Sequence, residues 1–158
     1  MEKLKSLLLP LALVFATIAV FESGTRYGAT NMRAYAIASE LQLPLAIYAQ
    51  ADSNMDIGSK ERFAALIDNG IAMGAKHREV WYLDKDARAA LDKALTYAFS
   101  VRGDAAAERF ASMQTSDQLP ELNKTKLSEI REAIVAAQIE LANDAQSSQE
   151  EATPKDTD

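Results

Sequence analysis

Residues 6–21, SLLLPLALVFATIAVF, contain no ionisable side chain, and this run constrains the chain more than anything that follows it. As a helix rising about 1.5 Å per residue it covers roughly 24 Å. It is longer than the core of a secretory signal, about 7–15 residues, and a little shorter than a typical spanning helix of about 17–25. Lys3 and Lys5 stand just before it and Glu22 just after. That asymmetry keeps the N-terminus in the cytoplasm and carries everything after Glu22 across the membrane. A cleaved signal needs a small-x-small site, and the best candidate, Thr17-Ile18-Ala19, is followed by Val20 and Phe21, where a mature chain normally turns polar. The run therefore reads as an uncleaved anchor in preference to a signal peptide. Local thinning of the bilayer, or Lys3, Lys5 and Glu22 reaching to the headgroups, makes up the missing length. Pro10 lies near the start of the run, where neighbouring partners can take the freed carbonyl.

The chain has no cysteine, which removes disulfides, thiol nucleophiles and thiolate metal sites, so an exported domain of this sequence must stand on its hydrophobic core. Its net charge of −6 is unevenly spread. Residues 1–139 hold 16 basic and 17 acidic side chains, whereas 140–158 hold Lys155 against Glu140, Asp144, Glu150, Glu151, Asp156 and Asp158. The nearly balanced body has no field to gather nucleic acid. Residues 144–158 lack aromatic and large aliphatic side chains and read as a disordered acidic tail.

Between anchor and tail the periodicity is helical. After a connector at residues 22–28, Ala34, Ile37, Ala38, Leu41, Leu45 and Tyr48 mark one face of a helix, which Pro44 is expected to kink or restart. Asp52, Asn54 and Asp56 reproduce the start of a calcium loop, but Ile57 and Phe63 stand where glycine and a bidentate glutamate are required. A turn capping the next helix is the better reading, and no metal or cofactor is expected. Ser59 is placed as the cap of a helix with the stripe Phe63, Leu66, Ile67, Gly70 and Ile71, ending in a left-handed cap at Gly74. Gly70 and Gly74 also form a G-x-x-x-G spacing that permits a close helix crossing.

The densest group of unusual residues follows: Lys76, His77, Arg78 and Trp81, with the sole histidine and the sole tryptophan. A histidine flanked by two cations suits an anion or a partner, but no serine stands in a nucleophile setting, so an exposed interhelical turn is expected with Trp81 as a core plug. Asp84 should cap a helix over residues 85–102 with Ala87, Leu91, Ala94, Leu95 and Ala98 inward and Arg88 paired to Asp84 and Asp92. Gly103-Asp104 reads as a stop and a new cap, with Phe110 and Met113 inward beyond it.

The last helix ends near Asn143 and carries Leu127, Ile130, Ile134, Ala137 and Leu141 at alternating spacings of three and four. Val135 and Ile139 widen this seam, which favours packing on its own chain over a homo-oligomer. The expected architecture is all-α: residues 1–5 cytoplasmic, a transmembrane anchor at 6–21, a connector at 22–28, an exported antiparallel helical bundle at 29–143, and the tail. The expected function is a non-enzymatic adaptor, accessory subunit or assembly factor of an envelope complex in the inner membrane, the domain being periplasmic in a bacterium. An exported bundle that senses a small ligand is the alternative.

Overall fold

A computed structural model describes the backbone of residues 2–50, 55–116 and 119–152, and the side chains of 13–50, 55–116 and 119–147. The described residues form five helices and no strand: α1 (Glu2–Gln50), α2 (Ile57–Arg78), α3 (Lys85–Arg102), α4 (Ala105–Gln114) and α5 (Glu121–Ala152). Antiparallel packing is set by contacts at the two ends of the part of α1 that packs in the bundle. Lys60, near the start of α2, lies 5.8 Å from the Tyr48 ring, while His77 in its last turn reaches Thr30. From the turn beside Asn31, α3 then returns to Tyr48 at Arg102. We call these the near end, at Thr30 and Asn31, and the far end, at Tyr48. A second hairpin closes the bundle, with Asp104 before α4 accepting from Gln138 of α5 at 3.0 Å.

The expected core face of α1 is present, with Ala34, Ile37, Ala38, Leu41 and Leu45 buried. Two breaks expected in this helix do not occur. It runs without interruption through residues 22–28, where Arg26 pairs with Glu22 at 2.5 Å and Thr25 Oγ1 donates to the Phe21 carbonyl at 2.8 Å. It also passes Pro44 without ending. The Glu40 carbonyl loses its donor there, and Glu40 is exposed, so water can replace the missing bond. Among the described residues no helix is long and apolar enough to cross a membrane, so the span expected at 6–21 gains no support from that measure.

The buried face of α2 is Ile67, Asp68, Ile71, Ala72, Gly74 and Ala75, which touches each of the other four helices' surroundings from the centre of the bundle. Leu66, expected inward, is 56% exposed. Asp56 caps this helix instead of Ser59, its carboxylate accepting from Ser59 N at 2.9 Å. The Ser59 hydroxyl and backbone N–H together hold the Asp56 carboxyl below the usual carboxylate range. Gly74 is not a terminus. The helix continues to Arg78, and the two glycines serve as contact points: a Cβ on Gly70 would stand 2.5 Å from Leu41 Cδ2, and one on Gly74 would stand 2.8 Å from Leu95 Cδ2. Here the G-x-x-x-G spacing lets α2 approach α1 and α3 in turn.

Asp84 caps α3 as expected, accepting from Asp86 N and Ala87 N, and Ala87, Leu91, Leu95 and Ala98 are fully buried. Gly103 ends the helix at φ 54°, a conformation that disfavours a side chain. Phe110 is buried on α4, but Met113, one residue before the end of the helix, is 43% exposed. On α5, Ile134, Ala137 and Leu141 are buried and Leu127 and Ile130 are partly buried against the same core. The seam is thus filled by this chain's own α2 and α4. The helix also extends to Ala152, past the expected start of disorder. Residues 145–152 are mostly alanine, glutamine and glutamate, good helix formers that prolong a helix already nucleated. Residues 153–158 lie outside the described residues.

Candidate functional site

Lys76, His77, Arg78 and Trp81 lie at the near end, where four helices and a turn meet. Arg78 is the hub. Its Nε donates to Asp92 of α3 at 2.7 Å, its Nη1 pairs with Glu140 of α5, and its Nη2 lies 3.7 Å from Asp144. Burial alone would lower the pKa of this guanidinium, but the hydrogen bonds and charges of Asp92 and Glu140 outweigh it and raise the value. Arg88 does not pair with Asp84 and Asp92 as expected. It donates instead to the carbonyls of Arg78 at 3.1 Å, an acceptor that the end of α2 leaves open, and of Val80 in the following turn at 3.0 Å.

His77 Nε2 lies 2.8 Å from the Thr30 carbonyl, a contact that requires this nitrogen to be the donor. Asn31 is 7% exposed; it accepts from Asp84 N at 2.8 Å and donates to the Tyr27 carbonyl at 3.1 Å. Lys76 reaches Glu79 at 3.2 Å. Lys76 and Arg78, read as candidate anion contacts, are engaged by carboxylates of the chain itself, and His77 by a backbone carbonyl. Their geometry ties α1, α2, α3 and α5 together and leaves Trp81 as the group that projects outward. Trp81 is 87% exposed, a correction to its expected place in the core, and its ring approaches Tyr82 edge-on at 5.3 Å.

At the far end lies a cluster that sequence reasoning missed. Asp68 is wholly buried, and it accepts from Arg102 Nε at 2.8 Å and Nη2 at 3.0 Å, with Arg109 Nη1 3.7 Å away. Arg102 also donates to the Tyr48 hydroxyl at 3.0 Å and lies 5.3 Å from that ring. The Asp68 hydrogen bonds raise the pKa of Arg102 against the opposing effect of burial. This cluster floors an open cleft of about 1040 Å³, whose walls include Lys60, Arg62, Met55 and Ile57. A second depression, of about 520 Å³, runs between α1 and α3 and is flanked by Tyr35 and Tyr97 over Ala38, Leu41, Leu45, Ala90 and Ala94.

Every buried side-chain nitrogen and oxygen among the described residues has a partner. Among these residues no group of three acidic or histidine side chains is placed to hold a metal. Asp52 and Asn54 of the calcium-like turn lie outside the described residues. Comparison with known protein families, curated proteins and solved structures finds no match.

Proposed function

We propose that this chain is a single-pass, membrane-anchored helical adaptor or accessory subunit of a larger envelope assembly, non-enzymatic, with residues 6–21 as its anchor and its bundle on the far side of the membrane. The observation that carries the reading is the surface of α1 before residue 22. Leu13, Val14, Phe15, Ile18, Val20 and Phe21 are 54% to 76% exposed. At about 100° per residue these six leave an arc of about 140°, which exposed Ala16 and Ala19 fill, so every side of the helix is apolar or nearly so. A helix apolar all round is at home only where nothing around it is water. A groove on another protein covers one side of such a helix, whereas lipid covers all of it. Because α1 continues unbroken into its buried face from Ala34 to Leu45, anchor and domain share one rigid rod.

The groove between α1 and α3 supports the adaptor part of the reading. Its apolar floor and its two tyrosines suit the apolar face of a helix from a partner. The second reading, a bundle that senses a small ligand, draws on the far-end cleft with Arg102, Arg109 and Tyr48. One experiment separates them. With a photo-crosslinking side chain at position 97, the adaptor reading expects discrete adducts with membrane proteins, and the same group at position 109 should give none. If position 97 gives no adduct, and a small molecule co-purifies with the wild type but not with Arg109→Ala, the sensor is correct. Recovery of the full chain in the soluble fraction after an alkaline wash of membranes would remove the anchor.

A further inference from the structure

We propose that Trp81 is an interfacial lipid anchor: it seats the near end of the bundle in the headgroup layer of the bilayer that α1 crosses. The inference rests on the membrane reading of α1 and adds to it a second point of contact, from a different part of the chain. A large aromatic side chain that is 87% exposed costs free energy in water, and tryptophan, with an apolar ring and one polar N–H, is favoured where hydrocarbon meets headgroups.

The structure places this residue on the side that faces the membrane. The 79–84 turn is tied to α1 at Thr30, through Tyr82 at 3.4 Å, and at Asn31, through Asp84 N at 2.8 Å. Its level on α1 is therefore nine to ten residues past Phe21, or about 14–15 Å along the axis. The headgroup layer extends about 5–7 Å beyond the hydrocarbon on each side. The turn lies to one side of α1 by about one helix spacing of 8–10 Å, so an ordinary tilt of about 20° lowers it by about 3 Å more. That leaves about 4–7 Å for the exposed indole to bridge.

Charge does not oppose this placement. Exposed Glu79 and Asp86 offset exposed Arg33 and Lys85 around the turn, so the surface suits a zwitterionic bilayer and needs no anionic lipid. Tyr27, 46% exposed on α1 on the membrane side of this level, extends the aromatic surface. Tyr35 has its pKa raised, by desolvation first and then by Asp84 and Asp86.

Because Trp81 is the sole tryptophan, its fluorescence reads its own surroundings. The full chain is reconstituted in phosphatidylcholine vesicles carrying nitroxide quenchers at the top or at the end of the acyl chain, with iodide as the aqueous quencher. The proposal expects an emission maximum shifted to shorter wavelength than in the urea-unfolded chain. It also expects strong quenching by the shallow nitroxide, weak quenching by the deep one and protection from iodide. A double variant, Trp81→Phe with Phe15→Trp, reports separately on α1 and should be quenched by the deep nitroxide. If the probe at position 15 is quenched by lipid while Trp81 is open to iodide, the anchor stands and this proposal falls. If neither probe meets lipid, both fall. A Trp81 shielded from iodide and from both nitroxides is covered by protein, such as a second copy of this chain, and that also overturns the proposal.

Discussion

Asp68 and Arg102 form a two-pronged ion pair, 2.8 Å and 3.0 Å, with the carboxylate wholly buried and the guanidinium side chain 13% exposed. The pair joins α2 to the end of α3, and Tyr48 extends it to α1. Burial makes such a pair asymmetric in its energetics: the intact pair adds little net stability, whereas removing one partner strands the other charge.

Arg102→Ala should therefore destabilise the fold by about 3–5 kcal/mol. Arg102→Ala together with Asp68→Asn, which removes the stranded charge, should recover part of that loss. Urea unfolding followed by circular dichroism measures both. A loss below about 1 kcal/mol for the single variant would show that Arg109 or water replaces Arg102.

Gly70→Ala and Gly74→Ala test the close approaches on α2. In an exposed helix interior each change would gain about 1 kcal/mol from helix propensity. Here the new methyl would press on Leu41 or Leu95, both fully buried, so a net loss of about 1–3 kcal/mol is expected. Leu41→Ala should make Gly70→Ala less harmful than it is in the wild type, while leaving the cost of Gly74→Ala unchanged. Equal coupling to both glycines would contradict the contacts.

Ile134 sits at 0% exposure on α5 among residues of its own chain. Ile134→Asp should cost several kcal/mol, lowering the melting temperature of a bundle that sediments as a monomer both before and after the change. A wild-type oligomer that falls apart into folded monomers on this substitution would instead place the seam between subunits.

The sequence made some of these elements legible because one local signal was sufficient. Asp84 and Gly103 bracket α3, and the 3-4 spacing of α5 names the residues that are buried, so cap, stop and stripe can be read without tertiary knowledge. Other features depend on partners far away in the chain. Asp68 follows Ile67 and precedes Ala72 by one turn, a position on the edge of an apolar face where a carboxylate reads as solvent-exposed. Only Arg102, 34 residues on, explains it. Gly74 resembled a helix end because glycine often is one, and the true reason for it is Leu95 on another helix. Trp81 was expected inside because tryptophan usually is, and its exposure at the near end depends on the Arg78, Arg88 and Asn31 contacts that fix the turn. Lys76, His77 and Arg78 stand together in the sequence as a candidate anion or partner contact, but the partners of His77 and Arg78, at Thr30, Asp92 and Glu140, are supplied only by the assembled bundle.

Depth-resolved accessibility along α1 tests the central claim most directly. The chain lacks cysteine, so single cysteines placed at successive positions from 13 to 39 can each carry one spin label, and oxygen and a water-soluble nickel chelate compete to relax it. In the full chain reconstituted in phospholipid vesicles, positions 13–21 should favour oxygen on every side of the helix, with the crossover to nickel between Glu22 and Tyr27. Beyond it, positions 34, 37 and 38 should be shielded from both, and 32, 35 and 39 should turn outward with the helical period. Nickel accessibility throughout 13–21, or one oxygen-favouring stripe with a water-facing side opposite, would contradict a spanning helix and with it the membrane-anchored adaptor.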